Sequence, residues 1–424
     1  MSKEKAQQNN HLLDTGYKKA IEQMRACLTE HGFLASTIER TNYRRVWGRD
    51  GSIMSIAALL SGQEDLIEGA RHTLETLAAY QGPHGEIPSN VDPYTGRTSY
   101  GGMAGRVDAD LWFVIACGQF WRHTHDERFL DKMINPLESV HFLLGAWEFN
   151  NRGLLYIPLT GDWADEYIHN GYVLYDQVLH LQAKRELMDI YTCWYNSEDH
   201  QLRSSMNRLK HLIQANYWFS DGDEIPDDVY HEILYKKGKH AAKRCKNRYW
   251  ASFFSPSGYG YRFDAFSNAL VSLVGASNEQ RDQSVDQYIA EEIEEDHDHI
   301  KLLPAFHPVI TPKDDDWEEL QMSFSYSFKN KPYEYHNGGL WPMVTGFYVA
   351  DLASRGKTEK AAEYLVGIHK ANAMEVDGKA WSFPEYIHGK ELKPGGMHYL
   401  GWSAAGAVIG QQVLSGRPLF SSEC

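Results

Sequence analysis

The order in which helical runs and loops alternate limits this chain's fold more than any single motif does. Apolar residues recur at helical spacing over 12–31, 51–60, 64–80, 108–123, 127–150, 171–195 and 198–218, from 263, from 277, and over 339–354, 357–373 and 397–414. No run keeps the two-residue period of a half-buried strand. Twelve helices make six hairpins. The even-numbered runs are on the whole the more apolar: 51–60 is nearly all apolar, and 108–123 is apolar and aromatic. Odd-numbered runs such as 64–80, with Leu66, Ala70, Leu74 and Leu77, are apolar on one face. Helices apolar all round belong inside, and amphipathic ones outside. The expected architecture is all-α, an (α/α)6 barrel. It takes 12–416 as a single domain, after a disordered N-terminal tip at 1–11. A charged insertion at about 221–248 carries one further helix. Ser277 and Gln280 read as a capping box opening the ninth helix.

The loops support this arrangement. Those rich in glycine, aromatics and acids lie at 46–50, 85–108, 161–166, 259–264, 335–342 and 384–398, each just before an even-numbered helix. In a ring of up-down hairpins all six open at the same end. A pocket is expected at that mouth.

Composition narrows the possible ligands. The 424 residues carry a formal net charge of −15, which argues against nucleic acid or an anionic membrane as partner. Five cysteines, odd in number and without a CxxC pair, point to reduced thiols. The first ten residues are polar and lack an apolar signal core, so a cytoplasmic chain is expected. Twelve Trp, 25 Tyr and 17 Phe suit the stacking faces of a sugar site as well as a large helical core. A homo-oligomer is left open. There is no phosphate loop, nucleophile elbow, HExxH or dinucleotide fingerprint.

Two carboxylates stand out. Asp108 heads an apolar helical run, and Glu385 follows a proline between Phe383 and Tyr386. Cleaving an acetal without metal or organic cofactor needs one protonated acid and one ionised carboxylate. Asp108 also reads as a simple N-cap, and Glu385 as a buried structural acid. Asp110 lies two residues on, points elsewhere on a helix, and is expected to be a cap or an exposed acid. Candidate sugar contacts are Trp47, Arg49, Asp50, Arg106, Asp162, Trp163, Asp165, Gln177, His336, Asn337, Trp341 and Tyr386. Some have a plainer reading: Asp162, Asp165 and Glu166 can cap a helix, Arg49 and Asp50 can form a buried ion pair, and 336–339 can be a turn. The run Asp296-His297-Asp298-His299 is expected to be a solvated helix end rather than a metal site.

Several of these motifs, in this order, resemble glycoside hydrolase family 100, the alkaline/neutral invertases. More distantly they resemble the amylo-α-1,6-glucosidase part of glycogen-debranching enzymes. Tyr43-Arg44-Arg45-Val46-Trp47-Gly48-Arg49-Asp50 resembles the family's early segment ending in Arg-Asp, and its Trp-Gly-Arg-Asp is nearer the debranching enzymes. Arg106-Val107-Asp108-Ala109-Asp110-Leu111-Trp112 resembles the Val-Asp-Ser-Gly-Leu-Trp stretch that carries the catalytic aspartate, which falls on Asp108. Gly171-Tyr172 with Gln177 resembles a Gly-Tyr-Pro-Leu-Glu-Ile-Gln segment. The run Tyr335 to Pro342 matches closely, and Pro384-Glu385-Tyr386, with Tyr399 and Trp402-Ser403, places the second catalytic carboxylate on Glu385. Among the departures from the family pattern, Asp110 replaces a glycine, Tyr175 replaces a glutamate, and the 221–248 insertion has no counterpart.

The resemblance implies an (α/α)6 barrel that hydrolyses an α-glucoside, sucrose first among them, with inversion. Asp108 would be the general acid and Glu385 the general base. A small oligosaccharide or α-glucoside is the expected ligand. Other readings are an exo-acting α-1,6-glucosidase, a sugar 2-epimerase using His336, His388 or His398, and a non-catalytic sugar-binding protein.

Overall fold

The computed structural model describes residues 3–38, 42–219, 222, 224–244, 248–294, 300–323 and 326–420. Its helices in chain order are α1 Lys3–Ala26, α2 Gly48–Ser61, α3 Glu64–Ala79, α4 Val107–Thr124, α5 Glu127–Trp147, α6 Leu174–Tyr195 and α7 His200–Asn216. They continue with α8 Glu232–Arg244, α9 Ala265–Leu273, α10 Glu279–Tyr288, α11 Trp317–Met322, α12 Pro342–Ser354, α13 Thr358–Asn372 and α14 Gly401–Leu414.

Six of these form a closed inner ring. Neighbours pack in the order α2, α4, α6, α9, α12, α14, and α14 packs back on α2. Burial separates the layers as the sequence implies. In α2, 13 of 14 residues are buried, and in α4, 16 of 18. In the outer α3 only 6 of 16 are, on one stripe. This is the (α/α)6 barrel. The ring closes tightly where α12 meets α14. There a Cβ on Gly346 would stand 2.3 Å from the Gly406 carbonyl oxygen, so glycine permits backbone contact between two inner helices.

The inner helices start without side-chain caps, α9 excepted. Their first N–H groups bond instead to a neighbouring loop. Gly48 N donates to Ser89 O, Val107 N to Gly161 O, Leu174 N to Ser252 O, Ala265 N to Ala305 O and Gly401 N to Ala35 O, at 2.8–3.2 Å. In each case the acceptor lies in the loop leading to the next inner helix round the ring. At α12, Leu340 and Ile387 exchange both backbone bonds at 2.8 Å, which makes the sixth link. Three outer helices, α5, α7 and α10, are capped in the usual way, by Asp126, Asp199 and Asn278, whereas α3 and α13 have no side-chain cap.

Several expectations are corrected. Residues 3–11 belong to α1. Asn278, not Ser277, caps α10, its side chain accepting from Arg281 N. Helix α11 has no counterpart among the expected helices. Short strands do exist. Val46–Trp47, Tyr172–Val173 and Phe263–Asp264 run straight into α2, α6 and α9, pairing with residues 90–91, 253–254 and 306–307. At two residues each, they leave no period for a sequence pattern to show. The insertion contributes α8, which packs on the hairpin strand Gly258–Gly260. The run 296–299 lies outside the described residues.

Replacing Gly346 by alanine forces a methyl into the Gly406 backbone. The expected loss is about 1–3 kcal/mol of stability, read from urea denaturation, whereas alanine at solvent-open Gly145 is expected to leave the midpoint unchanged or higher.

Candidate active site

The mouth of the ring is lined from the first turns of α2, α4 and α6 and from the loops before α6, α12 and α14. Asp108 is the second residue of α4 rather than its N-cap, which is Arg106. It is 1 % exposed. Arg49, from the first turn of α2, donates through Nη1 to Asp108 Oδ2 at 3.0 Å. The Tyr175 hydroxyl, from α6, donates to the same oxygen at 3.3 Å. Among the described residues Oδ1 accepts no hydrogen bond. Arg49 also reaches Asp50 Oδ1 through Nε at 3.4 Å, and its guanidinium lies over the Trp402 ring, 5.3 Å from the centroid. So the expected Arg49–Asp50 pair exists, but the closer partner of Arg49 is Asp108.

Glu385 lies in the loop before α14. Its two oxygens are treated differently from those of Asp108. Tyr43 OH donates to Oε1 at 3.0 Å, and Met397 N donates to Oε2 at 3.0 Å. The approach of the 385–397 backbone depends on Gly396, at φ +71°, where a Cβ would stand 2.2 Å from Glu385 Oε2. Backbone strain gathers beside this residue: Trp381 and Phe383 hold φ of 62° and 42°, unusual for aromatics.

The two carboxylates are joined by one aromatic and ionic wall. Arg106 donates to the Thr160 carbonyl and pairs with Asp165 at 2.8 Å. Tyr335 OH donates to Asp165 Oδ1 at 3.2 Å, and His336 Nε2 stands 3.6 Å from it, too far for a hydrogen bond. Trp341 stacks on His336 and Tyr386, and Trp163 meets both His336 and Trp341 edge-on. Lys329 pairs with Glu166 at 3.0 Å and lies over Tyr335.

Burial governs the electrostatics. It pushes Glu385 up to about 7, with Met397 N–H, Lys329 and Tyr43 pulling the other way. Burial likewise raises Asp108, opposed chiefly by the charges of Arg49 and Arg106, and raises Asp50 to about 6. Asp165 runs opposite. Burial would raise it too, but the charge of Arg106, first among the opposing effects, holds it well below the usual carboxylate range.

The candidate contacts divide into two groups. Asp50, Arg49, Arg106, Asp165, Tyr386 and Trp47, whose indole donates to Asn42 O at 2.9 Å, belong to the mouth. Asp162, Gln177 and Asn337 are fully buried, with their polar atoms committed elsewhere. Asp162 accepts from Ala164 N and pairs with His169. Gln177 bonds both backbone groups of Leu155. Asn337 accepts from Ile310 N and donates to Ile310 O and Asn330 O. These three brace loops instead of facing a ligand. Trp163, His336 and Trp341, at most 1 % exposed, form the layer behind the mouth. Asp110 is neither cap nor exposed: it is buried and accepts from Ile87 N at 2.7 Å, tying down the loop that leads to α4. Sequence reasoning missed Tyr43, Tyr175, Tyr335 and Lys329 as site residues. Tyr43 had a signal, lying four residues before Trp47 in the same mouth loop. Tyr175 had another, as a departure from the family pattern.

The fold and this pair of carboxylates place the chain among the (α/α)6-barrel glycosidases. Solved structures agree on the fold. Mannosylglycerate hydrolase of glycoside hydrolase family 63 from Thermus thermophilus superposes with a TM-score of 0.64 at 15% identity, over 93% of this chain and 99% of that one. A bacterial glucoamylase complexed with acarbose gives 0.62 at 15% identity, over 95% of this chain and 56% of that one. The chain belongs to the alkaline and neutral invertase family of glycoside hydrolases, whose sequence profile matches residues 32–416. Among plant relatives, probable chloroplastic alkaline/neutral invertase A of Arabidopsis thaliana is 22% identical over 90% of this chain, and mitochondrial neutral/alkaline invertase 1 of Oryza sativa subsp. japonica is 22% identical over 88%. The chain spans 66% and 65% of those two relatives' lengths.

The raised Glu385 carries a stability consequence. Its folded value of about 7 exceeds the ordinary 4.5, so between those values the native state binds more protons than the unfolded chain. Stability therefore falls as pH rises through that window and stays lower above it. Glu385→Gln is expected to raise stability at pH 8 by up to about 3 kcal/mol. That gain should shrink to nothing near pH 4, as read by thermal melts across pH.

Proposed function

We propose that this protein hydrolyses a small α-glucoside, sucrose first among the candidates, with inversion at the anomeric carbon. Asp108 is the general acid and Glu385 the general base. The observation that carries this reading is the contrast between the two carboxyl groups. Asp108 has both its donors on Oδ2 and keeps Oδ1 open for a proton aimed at a leaving oxygen. Glu385 has one donor on each oxygen, an arrangement that favours the ionised form and leaves lone pairs to orient a water. Asp50 and Arg49, in the first turn of α2, are placed to hold sugar hydroxyls, and Trp47 and Tyr386 to offer stacking faces. Inversion needs the carboxyl groups roughly 6.5–9.5 Å apart, with a water between them. The plant relatives' names support sucrose. The family 63 neighbour's name, mannosylglycerate hydrolase, keeps other small glycosides in the test. No residue in the scheme calls for a metal or organic cofactor. The compartment proposed is a reducing one, the cytoplasm in the simplest case, in keeping with the free thiols of Cys27, Cys117 and Cys193.

The pH dependence follows from Glu385. A base must be ionised, so kcat/KM is expected to fall as pH drops below about 7. Tyr43→Phe removes a donor that favours the carboxylate, so the acidic limb should move to higher pH in that variant.

The test is reducing-sugar release from sucrose, trehalose, isomaltose, maltose and glucosylated small polyols, with NMR of the first product anomer. β-Glucose from sucrose is the expected result. Isomaltose cleavage alone would move the substrate to an α-1,6-glucoside, and α-glucose as first product would overturn inversion. Asp108→Asn should cut turnover roughly a hundred- to ten-thousandfold with the fold intact. Loss of activity on changing His336 or His388 with Asp108→Asn tolerated, and an epimer as product, would replace the hydrolase with an isomerase. Binding without any product would leave a sugar-binding protein.

A further inference from the structure

Tyr175 stands where the family pattern has a glutamate, and the chemistry of its contacts is fully determined. Trp112 Nε1 can only donate, and it donates to Tyr175 OH at 2.7 Å. The hydroxyl has one hydrogen, and with Trp112 supplying its acceptor side that hydrogen is directed to Asp108 Oδ2 at 3.3 Å. Arg49 brings a second donor to the same oxygen at 3.0 Å. An oxygen facing two donors has no place for a proton of its own. We propose that Tyr175 is a positioning residue which, held by Trp112, confines the transferable proton of Asp108 to Oδ1. The inference rests on the reading of Asp108 as general acid.

The arrangement is rigid. Trp112 and Tyr175 are fully buried, and Phe266 packs against both rings at centroid distances of 6.2 and 5.1 Å. Burial holds the Tyr175 hydroxyl well above its ordinary value, so it stays a donor wherever the enzyme works. A glutamate at this position, if ionised, would bring only acceptors to Asp108 and could not assign the proton in this way. The relay is therefore a feature of this chain's own pattern. It does no bond-making itself. The proton moves from Asp108 Oδ1 to the glycosidic oxygen as the C–O bond breaks, and the resulting carboxylate keeps both donors on Oδ2.

The experiment compares two substrates, a glycoside the wild type cleaves and the matching α-glucosyl fluoride. The fluoride needs no protonation to leave. Tyr175→Phe is expected to lower kcat on the glycoside about ten- to a hundredfold with KM little changed, while turnover of the fluoride stays near wild type. Its alkaline limb should move to higher pH, because the Asp108 carboxylate has lost a donor. Trp112→Phe keeps the hydroxyl but frees it to rotate, and should show the same selective loss at smaller size. Equal losses on both substrates in the two variants, with the alkaline limb unmoved, would mean a structural role only and overturn the proposal. So would wild-type kcat on the glycoside. Asp108→Asn is run alongside. If it retains glycoside activity, the acid assignment itself falls; if it loses the glycoside and keeps the fluoride while Tyr175→Phe is unaffected, only the relay falls.

Discussion

Closure of the inner ring is the constraint on which the rest of this structure depends. Six helices packed around one axis leave little room at their N-termini for capping side chains. Five of the six therefore have no side-chain cap, and the exposed N–H groups take carbonyls from adjacent loops. Because the accepting loop leads to the next inner helix, the capping bonds also fasten the mouth loops in place round the ring. Loops that would otherwise be mobile become a wall. The residues at the cap positions are thereby free to be Trp47 and Arg106, which serve the mouth, and Trp341, which packs behind it.

The same geometry points the positive ends of the inner helices at one pocket. Asp50, Asp108, Asp110 and Asp176 all lie in first turns. Helix ends favour such anions by about 0.3–1 kcal/mol each, and up to about 2 when partly buried. Burial works against them and wins, as the raised Asp50, Asp108 and Asp110 show. One acid escapes: Asp165, held ionised chiefly by Arg106, supplies a fixed negative charge in the mouth and raises Glu385 further. The mouth is thus a place where stability is given up to keep carboxyl groups near the pH at which they exchange protons.

Much of this was legible in the chain. The twelve-helix order, the inner-outer distinction and the common end of the six loops all follow from periodicity, because a helix buried all round must be apolar all round. The burial of Asp108 and Glu385 was legible because each stands among aromatic and apolar residues. What the sequence hid was pairing. Nothing in the spacing of Arg49 and Asp108, or of Tyr43 and Glu385, joins residues 59 and 342 positions apart. Nor does the sequence separate a polar side chain that faces a ligand from one that fastens a loop. Asp162, Gln177 and Asn337 have the residue types of sugar contacts, and they lie in mouth loops or in the first turn of an inner helix. Only their backbone partners show that their donors and acceptors are occupied.

Asp110 and Tyr175, two of the departures from the family pattern, have a common physical sense. A glycine at 110 has no side chain to reach Ile87 N, whereas here Asp110 takes that hydrogen bond and ties the 80–106 loop to the first turn of α4. A glutamate at 175 would add a fifth carboxyl group to a pocket already holding Asp50, Asp108, Asp165 and Glu385. A tyrosine brings a neutral donor instead, and Trp112 fixes its direction. One substitution adds a buried acid at the edge of the mouth and the other keeps one out of its centre. The charge is displaced from the oxygen that would deliver the proton toward the loop that must be held, and the reacting carboxyl is left with a single open face.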